Sequence, residues 1–232
     1  MVDGENAVNA IDIDIWSDVM CPWCAVGYAR LERALELTGG EIDATIRWMP
    51  YELNPDTSPE GKSQAAHLGA VYGRSPAEVA AMHAQMAATA AEAGFSMEYA
   101  GEGDAPEPMM WNTFEAHCLL RWALSVAGPE AQTRLKSALF AAHFQQRLNV
   151  SDRAVLLDIA EGVGLDRAAA AEALADDALG IAVKLEERRA RDNGITAVPT
   201  FVINNRYILQ GAQEPEQFAK ALLQIANMDA GA

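Results

Sequence analysis

Hydrophobic and polar positions alternate from the first isoleucine of the chain, with Ile11, Ile13 and Ile15 on one face and Asp12 and Asp14 on the other. A period of two predicts a strand with one apolar face, closing at Trp16, and puts both aspartates on its less buried side. The period then lengthens: Ala25, Tyr28, Ala29, Leu31, Leu35 and Leu37 recur at helical spacing, and Thr38-Gly39-Gly40 supplies the stop. Ile42 to Trp48 returns to strand character. Strand, helix and strand in this order predict a right-handed βαβ unit with parallel strands. The small, polar residues 1–10 are expected to fray.

Past Pro50 and Asn54-Pro55 a turn-rich stretch runs to Gly61, and from 62 to 193 the patterning is almost entirely helical and rich in alanine. Ser75-Pro76-Ala77-Glu78 combines an N-cap, a proline at the first helical position and an acidic first turn, and opens a helix through Ala93. Ala100 to Pro108 reads as a loop. A helix from Asn112 to about Val126 stops at Gly128-Pro129, and further helices fit 130–147, 152–161, 166–174 and 177–191. The period changes once more at the C-terminal end. Thr200 to Ile203 and Arg206 to Gln210 read as antiparallel strands around an Asn204-Asn205 turn, followed by a helix over 215–226. The class is α/β, with βαβ and ββα separated by a large all-helical insertion.

Composition narrows the function. Half of the 232 residues are hydrophobic, ample for a core, and the formal charge of -16 opposes the basic footprint that nucleic acid or an anionic membrane requires. Three cysteines are too few for a disulfide-stapled secreted scaffold. Met1 to Ala10 has no Lys or Arg and no continuous apolar run, which fits neither a signal nor a transit peptide, and no segment has the length of a membrane span. These features predict a cytoplasmic protein with no membrane partner.

The candidate chemistry lies between the first strand and the first helix, at Cys21-Pro22-Trp23-Cys24. A thiol at a helix start meets the positive end of the helix dipole, which stabilises its thiolate and suits it to thiol–disulfide exchange. Half of a zinc site is the alternative, but it needs two more ligands, and Cys118 with a stray histidine matches no metal spacing. No metal is therefore expected. Asp18 either influences Cys21 electrostatically or shapes the turn before it.

Five segments, Ser17 to Cys24, Tyr51-Glu52-Leu53-Asn54-Pro55, Asn112-Thr113-Phe114-Glu115-Ala116-His117, Gly194 to Phe201 and Gly211-Ala212-Gln213, occur in one order over nearly the whole chain. Together they resemble the DsbA family of thioredoxin-fold oxidoreductases, and within it the cytoplasmic FrnE-like branch related to 2-hydroxychromene-2-carboxylate isomerase. The resemblance implies a thioredoxin-like domain from 11–61 and 194–230 and an inserted helical domain over 62–193. It implies that Cys21 is the nucleophile, its sulfur meeting the free amides of the helix start, and that Cys24 is the resolving thiol. Pro22 and Trp23 then set loop geometry and solvation. It further implies that Pro199 is cis beside the cysteines, leaving the backbone of Val198 to pair with an extended substrate.

From the insertion, the resemblance makes Asn112 and Thr113 candidate contacts for substrate or glutathione; Asn112 reads equally as a helix cap. His117 is either a proton shuttle or a satisfied buried side chain. Met82, Met86, Met97, Met109 and Met110 are expected in the core, and Cys118 is expected to be buried and inert. The implied activity is that of a protein disulfide oxidoreductase with no bound cofactor. Its partners would be protein or peptide thiols and disulfides, with glutathione or thioredoxin-type thiols as redox partners. Two other functions stay open. A glutathione-dependent isomerase or transferase of the kappa type is disfavoured by the presence of both cysteines, and a non-catalytic peptide-binding holdase would tolerate loss of both.

Overall fold

The computed structural model describes residues 8–230. The expected fraying of residues 1–7 lies outside the described residues, whereas Asn9 and Ala10 already pair with Ile42 and Asp43. Strand β1 (Asn9–Ser17), helix α1 (Pro22–Leu37) and strand β2 (Ile42–Pro50) form the parallel βαβ unit. Ile11, Ile13 and Ile15 are buried. Asp12 and Asp14 point away, where Arg47 of β2 bonds Asp14 at 2.6 Å and lies 3.9 Å from Asp12. Strands β1 and β2 thus carry one buried apolar face and one charged face.

Between the two halves lie β3 (Lys62–Ser63), α2 (Gln64–Tyr72), α3 (Pro76–Glu92), β4 (Met109–Met110), α4 (Phe114–Phe144), α5 (Arg153–Gly162), α6 (Arg167–Leu174) and α7 (Asp177–Asp192). Ser75 and Glu78 form the capping box that opens α3. The short antiparallel β3–β4 bridge was not predicted, because two residues display no period. The two helices expected on either side of Gly128-Pro129 are the arms of α4. Gly128 sits at φ 79°, a conformation that favours glycine, and the arms pivot there.

Strands β5 (Thr200–Ile203) and β6 (Tyr207–Gln210) and helix α8 (Pro215–Ala230) complete the chain. Asn204 and Asn205, at φ 50° and 54°, make the predicted tight turn. The sheet order is β2-β1-β5-β6, with β5 antiparallel to both β1 and β6. This leaves β2 on an edge, and a side chain covers it: Gln132 of α4 accepts from the Trp48 N–H and donates to the Trp48 carbonyl, both at 2.8 Å. The Trp48 indole also donates to Thr133 at 3.0 Å. Helix α4 is thereby bonded to the sheet like an extra strand.

Two buried clusters result. One joins the sheet to α1, α8 and Phe140 and Phe144 of α4, with Phe95 and Met97 against it. This core crosses the sequence boundaries at 62 and 193. The other lies among α4–α7 and also takes in Val19 and Met20 from the loop after β1. The methionine expectation is corrected in part. Met110 is buried and Met97 packs on the sheet core, but Met82 is 38% exposed because α3 buries little beyond Val79 and Ala90.

Candidate active site

Strand β1 ends at Ser17, and the chain turns over Asp18 to reach the cysteines. The Cys21 N–H donates to the Asp18 carbonyl at 3.2 Å. The Asp18 carboxylate accepts from the N–H groups of Met20 at 3.3 Å and Leu53 at 2.8 Å, tying this turn to the segment after β2. Burial works to raise the Asp18 pKa, but His117, the Leu53 N–H and the charge of Lys136 outweigh it and hold the carboxyl below its usual range. Asp18 is a buried anion that shapes the loop.

Cys21 is the residue preceding the first turn of α1, and Pro22 occupies the first helical position, where no N–H is needed. The Cys24 N–H closes the turn onto the Cys21 carbonyl at 3.0 Å. Both thiols are free; Cys21 is 4% exposed and Cys24 fully buried, while Trp23 between them projects into solvent. The expectation that the Cys21 sulfur caps the helix amides is corrected: no side-chain cap forms, and the sulfur lies 3.9 Å from the Val198 carbonyl, which accepts from the thiol. Burial, followed by the proximity of Cys21, pushes the Cys24 thiol well above its ordinary pKa.

The second wall comes from the distant C-terminal half. The Val198–Pro199 peptide is cis, and the Thr200 hydroxyl donates to the Ala197 carbonyl at 2.7 Å. Pro199 packs so closely on α1 that a Cβ at Gly27 would meet its ring at 3.0 Å and Phe201 at 3.2 Å. Glycine at position 27 therefore permits this approach, a requirement that helical periodicity does not reveal.

The insertion contributes less directly than expected. His117 is buried with Nε2 3.8 Å from the Asp18 carboxylate, an ion-pair distance beyond hydrogen bonding, and so it faces the loop carboxylate. Thr113 is buried at the start of α4 and makes no side-chain cap. Asn112 accepts from the Phe114 N–H at 3.0 Å and donates to the carbonyls of Pro55 and Thr57, both at 3.2 Å. It lines a cleft of about 660 Å³ with Glu52, Phe114, Arg153 and Lys184, whose walls include neither cysteine nor Val198.

Two further features escaped the sequence reading, Lys136 and the Glu52–Glu187 pair. Lys136, from the second arm of α4, is entirely buried, and among the described residues its Nζ has no hydrogen-bond partner. It lies 5.1 Å from the Trp48 ring centre and 4.8 Å from that of Phe140. A lone cation on the apolar face of the helix at 130–147 was the available signal. Glu52 and Glu187 are both buried, with the Glu52 N–H donating to the Glu187 carboxylate at 2.6 Å. Burial first, then the charges of Glu187 and Asp18, push Glu52 up to about 7. Cys118 lies in the helical core, its thiol pushed up to about 12 by burial and by Glu115 and Glu52. Among the described residues no cluster of three or more His, Cys, Asp or Glu has the arrangement to hold a metal.

A βαβ–ββα sheet with a Cys-X-X-Cys pair at the start of its first helix defines a thioredoxin-fold protein of the thiol oxidoreductase class. A family model described as DSBA-like thioredoxin domain matches residues 12–223, and the chain belongs to that family. It is 30% identical over 213 residues to the uncharacterized YwbO of Bacillus subtilis, covering 91% of this chain and 96% of YwbO. The probable DsbA oxidoreductase SCO1869 of Streptomyces coelicolor is 32% identical with a TM-score of 0.80, over 92% of this chain and 89% of that one. The cytosolic disulfide reductase DsbM of Pseudomonas aeruginosa, in a structure with GSH, shares the fold at a TM-score of 0.60 and 16% identity, over 93% and 99% of the two chains.

Proposed function

We propose that this chain is a cytoplasmic protein of the FrnE-like branch that exchanges disulfides with protein, peptide or low-molecular-weight thiols through Cys21 and Cys24. The observation that carries the reading is the Cys21–Cys24 pair at the start of α1, with the Cys21 sulfur against the carbonyl of Val198. In the reductive direction the Cys21 thiolate attacks a substrate disulfide, forming a Cys21–substrate bond and releasing one substrate thiolate. Cys24 then attacks the Cys21 sulfur, the second substrate thiolate leaves, and the pair is left as a disulfide. A thiol of the glutathione or thioredoxin type restores it, and the oxidative direction is the reverse.

Cys21 is given the first attack because it lies at the helix start, whereas Cys24 is buried behind it. Pro22 and Trp23 form the approach, and the main chain at Val198, ahead of Pro199, offers its carbonyl to an extended substrate. Such pairing reads backbone and accommodates many sequences. The charge of -16 and the absence, among the described residues, of any helix long and apolar enough to cross a membrane accord with this setting. The intact dithiol favours exchange over the kappa-type isomerase reading.

Turnover of insulin and of glutathione disulfide by wild type, Cys21→Ser and Cys24→Ser tests the proposal. Wild type alone should sustain turnover. Equal rates in all three would sink the reading and favour the holdase alternative.

A further inference from the structure

The exchange proposed above depends on where the Val198 carbonyl stands. That carbonyl lies 3.9 Å from the Cys21 sulfur and is the group offered to an extended substrate. Val198 belongs to the short segment ahead of β5, so its place is set by what holds the next residue, Pro199. Pro199 is held from two sides. Its ring lies against α1 at Gly27, where a Cβ would meet it at 3.0 Å, and its carbonyl accepts from the Gly211 N–H at 2.8 Å. The second contact continues the β5–β6 ladder one step beyond the Thr200–Gln210 pair.

The Gly211 end of that bond needs an anchor of its own, because β6 ends at Gln210 and the chain turns at Gly211, φ 77°, into the short loop before α8. Arg30 supplies it. One turn beyond Gly27 on α1, Arg30 donates from Nη1 to the Ala212 carbonyl at 2.8 Å and places Nη2 2.9 Å from the Glu214 carboxylate. Ala212 also touches the bare face of Gly27, its Cβ 3.5 Å from where a glycine-27 side chain would begin. The Arg30 side chain is 12% exposed and that of Glu214 57%, so the bond to the main chain is shielded while the carboxylate faces water. A solvent-facing ion pair contributes little, whereas a charge-assisted bond to a backbone carbonyl fixes the chain that carries it.

Resting on the proposed exchange reaction, we propose that Arg30 is a positioning residue for the substrate wall. It clamps the loop 211–214 to α1, the loop holds Pro199 through the Gly211 N–H, and the Val198 backbone is thereby kept where an extended peptide pairs with it beside Cys21. Among the described residues the polar contacts of Arg30 are with Ala212 and Glu214 and with neither thiol, so it acts on capture of the peptide and leaves the thiol chemistry alone. Backbone hydrogen bonds weaken steeply with misalignment, so a displaced Val198 loses its peptide partner. A small disulfide without peptide groups does not sense the displacement.

The test compares two mixed disulfides of thionitrobenzoate, one on the central cysteine of an extended peptide and one on 2-mercaptoethanol. Each meets the reduced, full-length protein in a Cys118→Ala background. The Cys21 thiolate attacks the carrier sulfur and a Cys21–carrier bond forms. The bond to thionitrobenzoate breaks, and this more acidic thiol leaves with the electron pair. Its colour reports that step alone, since later attack by Cys24 releases only the carrier.

Arg30→Gln should raise the half-saturating peptide concentration about ten-fold, the cost of about two net hydrogen bonds. The limiting rate with peptide and the rate constant with the mercaptoethanol disulfide should each stay within about two-fold of wild type. Arg30→Lys keeps a cation for Glu214 but not the planar fork that spans Glu214 and the Ala212 carbonyl, and should raise half-saturation about three-fold. Glu214→Gln removes only the exposed charge and should stay within about two-fold. An Arg30→Gln half-saturation equal to wild type, an equal slowing of both probes, or an effect confined to the limiting rate would overturn the clamp while leaving the exchange reaction intact. No release from either probe by wild type, or undiminished release by Cys21→Ser, would overturn both. If Arg30→Gln does not fold, a wild-type half-saturation in Arg30→Lys overturns the proposal.

Discussion

Cys24 and Cys118 are both buried thiols packed among apolar side chains, and burial pushes the pKa of each upward. Their surroundings then diverge. Cys24 stands one turn into α1 behind Cys21, with a buried lysine that feels its charge and a backbone carbonyl at Val198 facing its partner thiol. Cys118 stands inside α4 with no neighbouring thiol in sequence, beside the acidic Glu115 and Glu52, and its thiol is pushed up to about 12. Burial by itself makes a thiol inert. A redox thiol also needs a paired sulfur and an approach for the substrate.

The largest effect that would break this contrast is at Cys21. Cys21→Ser should reduce disulfide turnover to background, whereas Cys118→Ala should keep it within about two-fold. A large loss in Cys118→Ala would show that the helical core holds a working thiol. The next effect is at Asp18. Asp18→Asn weakens the anchoring of Met20 and Leu53 and should lower stability by about 1–3 kcal/mol at pH 7, read from urea denaturation. Because the folded-state carboxyl sits below its usual value, the stabilisation is present above that value and is lost as pH falls through the depressed folded value. The deficit of the variant should therefore shrink in acid.

Glu52 should behave in the opposite sense. Its folded-state value of about 7 lies above the ordinary 4.5, so the folded protein binds more protons than the unfolded chain between the two, and stability falls as pH rises through that window. Glu52→Gln should leave stability near wild type at pH 4.5 and raise it by about 1–2 kcal/mol at pH 8. A variant gain that is the same at both pH values would refute the acid-pair account. The smallest effect belongs to Cys118→Ala, a loss of roughly 1 kcal/mol from a modest cavity.

Much of the architecture could be read from changes of period. Ile11-Asp12-Ile13-Asp14-Ile15, the helix after Cys24 and the Asn204-Asn205 turn each have one physical solution, and their order leaves a thioredoxin-like sheet. The dithiol was legible for the same reason, since a strand ends and a helix begins at that point. Contacts made by folding were less accessible. The β3–β4 bridge has no period to detect, whereas the stop at Gly128-Pro129 is where the helical backbone breaks between the arms of α4. Gln132 looks like a surface residue until Trp48 occupies an unpaired sheet edge. Lys136 looks like an ordinary helical lysine, and only tertiary packing removes it from water. Asn112 has the sequence signature of a substrate contact or a cap; its side-chain oxygen accepts from the Phe114 N–H and its amide nitrogen donates to the Pro55 and Thr57 carbonyls.

The most direct measurement is mass analysis of the covalent adduct formed when each single-cysteine variant meets a peptide disulfide. The division of roles between Cys21 and Cys24 predicts that Cys24→Ser accumulates one peptide, mapped to Cys21, and that Cys21→Ser accumulates none. An adduct of equal yield in Cys21→Ser, on Cys24 or on Cys118, would contradict it.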